Sequence, residues 1–184
     1  MALWALIISI LALGVAIMAL PTVFQMVWGR PNIGVTFIDT TDKKAHRKYL
    51  HCQIINYPLE NRYLQKLGVY RRPIDDVNIF FSVEDVEKHK IVVADIMATI
   101  YTTQNDKPMI SVSLPVSNIP AMINLVEARD DGYTNTMAHY EAKNIQLPVG
   151  EYCAVVKVKT SEIEKEFHRN FFVGNEQEDL HWED

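Results

Sequence analysis

No charged side chain occurs before Arg30. The stretch ahead of it, MALWALIISILALGVAIMALPTVFQMVWG, is almost wholly apolar. About 20 apolar residues are enough to cross the hydrocarbon core of a bilayer as a helix, and this run exceeds that. Residues 1–29 are therefore expected to form one transmembrane helix, with the lipid bilayer as its partner. The remainder of the chain would work tethered at a membrane surface. A cleaved signal peptide needs a basic start, a shorter apolar core and a small-x-small cleavage site. The run has no Lys or Arg, is too long and lacks an A-x-A end. It also contains no Cys, which excludes a lipoprotein anchor.

Trp4 and Trp28 near the two ends suit the headgroup level of a membrane. Pro21 is expected either to kink the helix or to end its straight part. Ala12 and Ala16 have small-xxx-small spacing, though ordinary anchor composition gives the same pattern. The C-terminal flank carries Arg30, Lys43, Lys44, Arg47 and Lys48. By the positive-inside rule, these place the rest of the chain in the cytoplasm. Extracytoplasmic display is the alternative.

After the anchor the hydrophobic period changes from helical to two. Segments 32–39, 48–56, 77–83, 91–101, 110–116, 122–128, 139–145, 152–158 and 167–173 read as strands. Leu50, Cys52 and Ile54 fall on one face, as do Val77, Ile79, Phe81 and Val83. Pro, Asn, Asp and Gly separate these segments, and 83–90 has the makings of a short helical turn. The expectation is an all-β, antiparallel β-sandwich over residues 30–174 behind a single N-terminal transmembrane helix. Net charge is −5, and residues 175–184 carry five acids with no Lys or Arg. The tail is therefore expected to be disordered and solvated, with Leu180 and Trp182 as a potential docking motif. The near-neutral body lacks the basic face that nucleic acid requires.

Leu147-Pro148-Val149-Gly150-Glu151-Tyr152, followed by alternating CAVVKVK, resembles the tyrosine corner of immunoglobulin-like sandwiches. The resemblance covers about 30 residues. It implies that Leu147, Gly150 and Tyr152 form a structural corner, with Tyr152 entering the penultimate strand. It implies nothing about activity, because this fold hosts many functions. In that family a bridging Cys follows two residues after the Tyr. Here Cys153 follows Tyr152 directly, so the two side chains point to opposite faces. Cys52 is expected to be buried and Cys153 outward. That phase opposes a disulfide and leaves two free thiols, as a reducing compartment would.

The histidines (His46, His51, His89, His139, His168, His181) form no H-x-H or H-x-x-x-H. His51 and His168 read as exposed strand residues that could meet in space. No G-x-S-x-G, P-loop or G-x-G-x-x-G occurs. Asp130-Asp131-Gly132 is the best candidate calcium loop, but it lacks a spaced D-x-D-x-D set and suits an ordinary turn. No catalytic, cofactor or metal residues are expected. Tyr70-Arg71-Arg72 and the Lys43–Lys48 cluster could face anionic lipid, or simply solvent. The expected function is a single-pass, non-enzymatic protein-interaction or accessory module of a membrane assembly. Its interaction surface is placed at the loop residues Tyr57, Arg71, Arg72 and Tyr133, since exposed aromatics and Arg are enriched at interfaces. The alternative is an extracytoplasmic sensing domain for peptide, sugar or calcium.

Overall fold

A computed structural model describes residues 2–102, 105–117, 119–136 and 145–183 of the chain. The apolar run forms one helix, α1 (Ala2–Trp28), which continues through Pro21. At 1.5 Å per residue its 27 residues extend about 40 Å, long enough and apolar enough to span a membrane. The helix does not stop at Pro21. A bilayer helix tolerates the lost backbone donor.

Strands begin within a few residues of the helix end. β1 (Ile33–Asp42) and β2 (Arg47–Asn56) form a hairpin. A loop carrying a short helix, α2 (Arg62–Lys66), leads to β3 (Ile74–Asp85) and β4 (Lys90–Met97), a second hairpin. Then come β5 (Ile100–Thr102), β6 (Asn105–Met109), β7 (Ser111–Leu114), β8 (Ala121–Arg129) and β9 (Thr134–Thr136). β10 (Gly150–Lys159), β11 (Glu164–Val173) and β12 (His181–Trp182) complete the chain. The pairings make two antiparallel sheets. One has the order β1-β2-β8-β5-β6, with β9 also on β8. The other runs β12-β11-β10-β3-β4, with β7 also on β3. This is a β-sandwich in broad architecture.

The core lies between the sheets and follows the period-two pattern. Leu50, Cys52 and Ile54 from β2 are fully buried, as are Val77, Ile79, Phe81 and Val83 from β3. On β10 the buried positions are Tyr152, Ala154, Val156 and Val158, while Cys153, Val155 and Lys157 are only partly covered. The strand phase read from the sequence is therefore correct. Both cysteines are free. The Tyr152 hydroxyl donates to the Pro148 carbonyl at 2.9 Å, its ring stacks on Phe171 at 5.5 Å, and Gly150 and the buried Leu147 flank the corner.

Three expectations need correction. Segment 83–90 is not a helical turn: β3 continues to Asp85, and the turn closes on its carboxylate, which accepts from the Lys88 backbone N–H at 3.0 Å. His51 is not exposed. The β2–β8 register shifts between Leu50 and His51, so Leu50, His51 and Cys52 are buried in succession. Nor is the acidic tail disordered, although Glu176, Glu178 and Asp179 stay exposed. It makes a 3-10 turn (Gln177–Asp179) and then pairs as β12 with β11, with Leu180 fully buried. The strand expected at 139–145 lies almost wholly outside the described residues.

Candidate functional site

Strand direction divides the sandwich into two ends. β1 starts beside α1 and runs away from it for ten residues, about 33 Å at strand rise. Asn56, the end of β2, pairs with Ile33 and so returns to the helix end. The loop from Tyr57 to Pro73 and the β10–β11 turn lie there too, joined by Arg72 Nη2 to Glu162 Oε2 at 3.1 Å. The β1–β2 turn, Asp130–Asp131, Tyr133 and the Tyr152 corner lie at the far end.

At the near end the chain leaves α1 without a flexible spacer. Residues 29–32 alone separate Trp28 from Ile33. The Gly29 N–H donates to the Gln25 carbonyl, and the Gly29 carbonyl accepts from the Arg72 N–H at 3.1 Å. A Cβ on Gly29 would collide with the Gln25 side chain and carbonyl. Arg71 Nη1 donates to the Arg30 carbonyl at 3.1 Å. The Asn32 carbonyl accepts from the Tyr57 N–H, and the Asn32 N–H donates to Asn56 Oδ1 at 3.1 Å. Within the helix itself, Gln25 pairs twice with the backbone of Tyr70. Its Nε2 donates to the Tyr70 carbonyl at 2.6 Å, and its Oε1 accepts from the Tyr70 N–H at 3.0 Å.

The buried Asn56 ties this junction together. Its Oδ1 holds Asn32, and its Nδ2 donates to the carbonyls of Arg72 at 2.9 Å and Leu114 at 3.5 Å. Beyond it, α2 is built from local signals. Asn61 Oδ1 caps the helix by accepting from the N–H groups of Tyr63 and Leu64. Gly68, at φ +75°, ends it in a Schellman motif: the Val69 N–H reaches the Leu64 carbonyl and the Gly68 N–H reaches the Gln65 carbonyl. Leu59 and Val69 are buried beneath the loop, whereas Tyr63, Leu67 and Tyr70 project outward. Arg62, Lys66, Arg71 and Arg72 lie in the same stretch with no acid among them. An open cleft of about 830 Å³ runs beside the junction, lined by Gln25, Arg30, Arg72, Glu162 and Lys165 among others.

The residues expected to share one surface do not. Tyr57, Arg71 and Arg72 are at the helix end, and Tyr133 is at the far end. Tyr57 is half-buried, with its ring against Gly34 where a Cβ would not fit, so it is a packing residue. Asp130 pairs with His46 at 3.1 Å, and Asp131 Oδ1 accepts from the Tyr133 N–H at 3.2 Å, as in an ordinary turn. Among the described residues no group of three His, Cys, Asp or Glu is arranged to hold a metal ion. The Lys43–Lys48 cluster caps the far end, and Lys48 there donates to the Glu178 carbonyl of the tail. The basic groups beside the helix are instead Arg30, Arg62, Lys66, Arg71, Arg72 and Lys165. Sequence reading singles out Tyr70-Arg71-Arg72 but misses α2, although the Asn61 cap, Gly68 and the acid-free run are visible in it.

His51 and His168 lie on different sheets. Thr40 Oγ1 and Asn124 Oδ1 engage the two ring nitrogens of His51, the latter at 2.7 Å. With Nδ1–H donating to Asn124 Oδ1, the neutral ring would leave Nε2 to accept from the Thr40 hydroxyl. Burial pushes the His51 pKa below its ordinary 6.5, partly opposed by the Asn124 bond and by Asp39. The unfolded chain then binds this proton more readily than the folded one. Stability conferred by neutral His51 is complete above pH 6.5 and is lost as pH falls through the depressed native value. Thermal unfolding of the full chain in detergent, followed from about pH 7.5 down to about 5.5, should show a falling melting temperature. His51→Gln should flatten that slope.

Comparisons with family models, with curated proteins and with solved structures give no match for this chain. The site must be interpreted from its own geometry.

Proposed function

We propose that α1 crosses a bilayer and that the chain is a single-pass, non-enzymatic accessory module, presenting its sandwich to a protein partner in a membrane assembly. One observation carries this reading. The domain joins the helix through a hydrogen-bonded connection of residues 29–32, pinned by Gln25 and Asn56, so its height and rotation relative to the bilayer are set. Such a seat suits a part that must meet a neighbour in a membrane complex. It suits a freely swinging receptor head less well. The sandwich is immunoglobulin-like in this reading. The orders β1-β2-β8-β5 and β11-β10-β3-β4 correspond to A-B-E-D and G-F-C-C′, and the Tyr152 corner opens strand F. Cys52 and Ala154 then occupy the positions of the bridging pair, which explains why a buried thiol lacks a partner.

The basic groups around the helix end favour the cytoplasmic side. Cys153 is a poor reporter of sidedness, because it is partly covered and burial raises its thiol pKa. Tyr133, half-exposed at the far end, is a better position. In a Cys153→Ser background, Tyr133→Cys should react with a membrane-impermeant maleimide only after lysis. Reaction in intact cells would overturn the cytoplasmic placement and favour the extracytoplasmic sensing alternative. A photocrosslinker at Tyr133 in native membranes should give one discrete protein adduct. An uncrosslinked chain that purifies alone would overturn the accessory role.

A further inference from the structure

The segment from Asn61 to Arg72 lacks an explanation as part of the sandwich. Its apolar residues divide: Leu59 just before it and Val69 within it are buried, while Tyr63 is 81 % exposed, Tyr70 61 % and Leu67 48 %. Capping fixes α2 in place, and the only charges are Arg62, Lys66, Arg71 and Arg72. Exposed tyrosines alternating with cations, without acids, suit a membrane interface better than bulk water.

Position supplies the second argument. The Gln25 side chain binds the Tyr70 backbone in both directions. Gln25 precedes Trp28 by three residues, about 4.5 Å of helix rise. Phe24 and Trp28 pack edge to face at 5.1 Å on the same stretch, an aromatic pair of the kind found at headgroup level. If α1 spans the bilayer, Tyr70 must therefore lie at the depth of the helix's last turn and not above it. Arg30 and Lys165 border the adjacent cleft, in which Glu162 pairs with Arg72 and leaves Arg62 and Lys66 as the cations of the segment that face outward without that acid.

We infer that residues 61–72 form an interfacial seat, in which Tyr63, Leu67 and Tyr70 enter the headgroup region and Arg62 and Lys66 bind anionic phospholipid headgroups. This rests on the reading of α1 as a membrane anchor. The seat holds the sandwich against the bilayer, so the module is oriented by the lipid as well as by its helix. Anionic lipid then sets how the far end is presented.

The test uses the full chain with Cys153→Ser and an environment-sensitive fluorophore at one introduced cysteine. The positions are Met18→Cys in the helix, Leu67→Cys in the seat and Ile91→Cys at the far end. Each is reconstituted into phosphatidylcholine vesicles or mixed phosphatidylcholine–phosphatidylserine vesicles; the labels at 67 and 91 are read with shallow spin-labelled lipid, and the label at 18, about 15 Å of helix below Trp28, with lipid spin-labelled near the acyl-chain end. The label at 67 should be quenched in the anionic vesicles while the label at 91 stays in water. Arg62→Gln with Lys66→Gln removes two headgroup contacts outside the junction bonds. It should shift the seated-to-unseated ratio by about thirtyfold, and high salt should act in the same direction. Quenching at 18 with none at 67 would overturn the seat and leave the anchor standing. No quenching at 18 would instead remove the anchor reading itself. Equal quenching at 67 in both vesicle types would overturn the role of the anionic headgroups.

Discussion

Leu180→Ala is expected to destabilise the full chain by about 2–4 kcal/mol, as replacement of a fully buried leucine does. For a chain of this size that is roughly 6–12 °C in melting temperature. Five acids within ten residues would ordinarily make such a position indifferent to substitution. The tail is instead a clasp across the open edge of the sandwich. Trp182 Nε1 donates to the Ile38 carbonyl at 3.0 Å on β1. Its ring packs against Phe37 at 4.8 Å and Phe171 at 5.7 Å, which come from opposite sheets. The Glu183 N–H reaches the Asn170 carbonyl at 2.9 Å. Gly174 lets the chain turn back, since a Cβ there would collide with Asp179, whose carboxylate accepts from the Glu176 N–H.

Truncation after Asn175 should cost no more than the sum of Leu180→Ala and Trp182→Ala. Deleting the tail also removes the entropy cost of ordering it, which point variants retain. Denaturant unfolding of the full chain in detergent measures this. If all three variants lie within about 0.5 kcal/mol of the parent, the range of ordinary surface changes, the tail is solvated after all.

The tail also illustrates what the sequence could and could not convey. Summed charge pointed to solvent, but the period-two pair Leu180 and Trp182 was already strand-like, and burial follows those two side chains. The strands of the body were legible because half-buried strands alternate, and β10 kept its phase from Tyr152 to Val158. His51 was not legible, because a bulge in β2 depends on the register with β8, and no local pattern encodes that. β8 hides a buried acid for a related reason. Leu125, Val126, Glu127 and Ala128 are buried in succession, and Glu127 is met by Arg47 at 2.8 Å and Arg129 at 3.2 Å. A carboxylate in a central strand reads as exposed until its partners are placed. The junction was hidden for the same reason. Gln25 with Tyr70, and Asn56 with Asn32 and Arg72, are pairings across sequence gaps that composition does not record.

Asn56→Leu tests that junction directly and is expected to cost about 1–3 kcal/mol. The side chain is 1 % exposed, and leucine is near it in volume, so little of the loss arises from a cavity. What is lost is satisfaction of the Asn32 N–H and the Arg72 carbonyl, both only part-buried, so each costs less than the ~1–3 kcal/mol of a fully buried group left unpaired. Those two groups belong to the helix connection and to the loop from Tyr57 to Pro73. The loop should therefore open before the sandwich does, and trypsin should cut at Arg62 and Lys66 faster in the variant. Unchanged cleavage alongside unchanged stability would mean that Asn56 does not hold the junction. Asn56→Asp makes a sharper distinction. It keeps an acceptor for Asn32, but as a carboxylate it faces the Arg72 and Leu114 carbonyls with no proton to donate. Burial and those carbonyls favour its neutral form, so its folded pKa rises above the usual carboxylate value near 3.9. The Asp variant should be most stable, relative to the parent, below that value. It should lose stability as pH rises through the raised pKa, the opposite sense to the slope expected from His51. A variant whose stability relative to the parent does not change with pH would place residue 56 in contact with water, and the helix connection would then be held without it, by Gln25 and the bonds of Gly29, Arg30 and Asn32 to the loop.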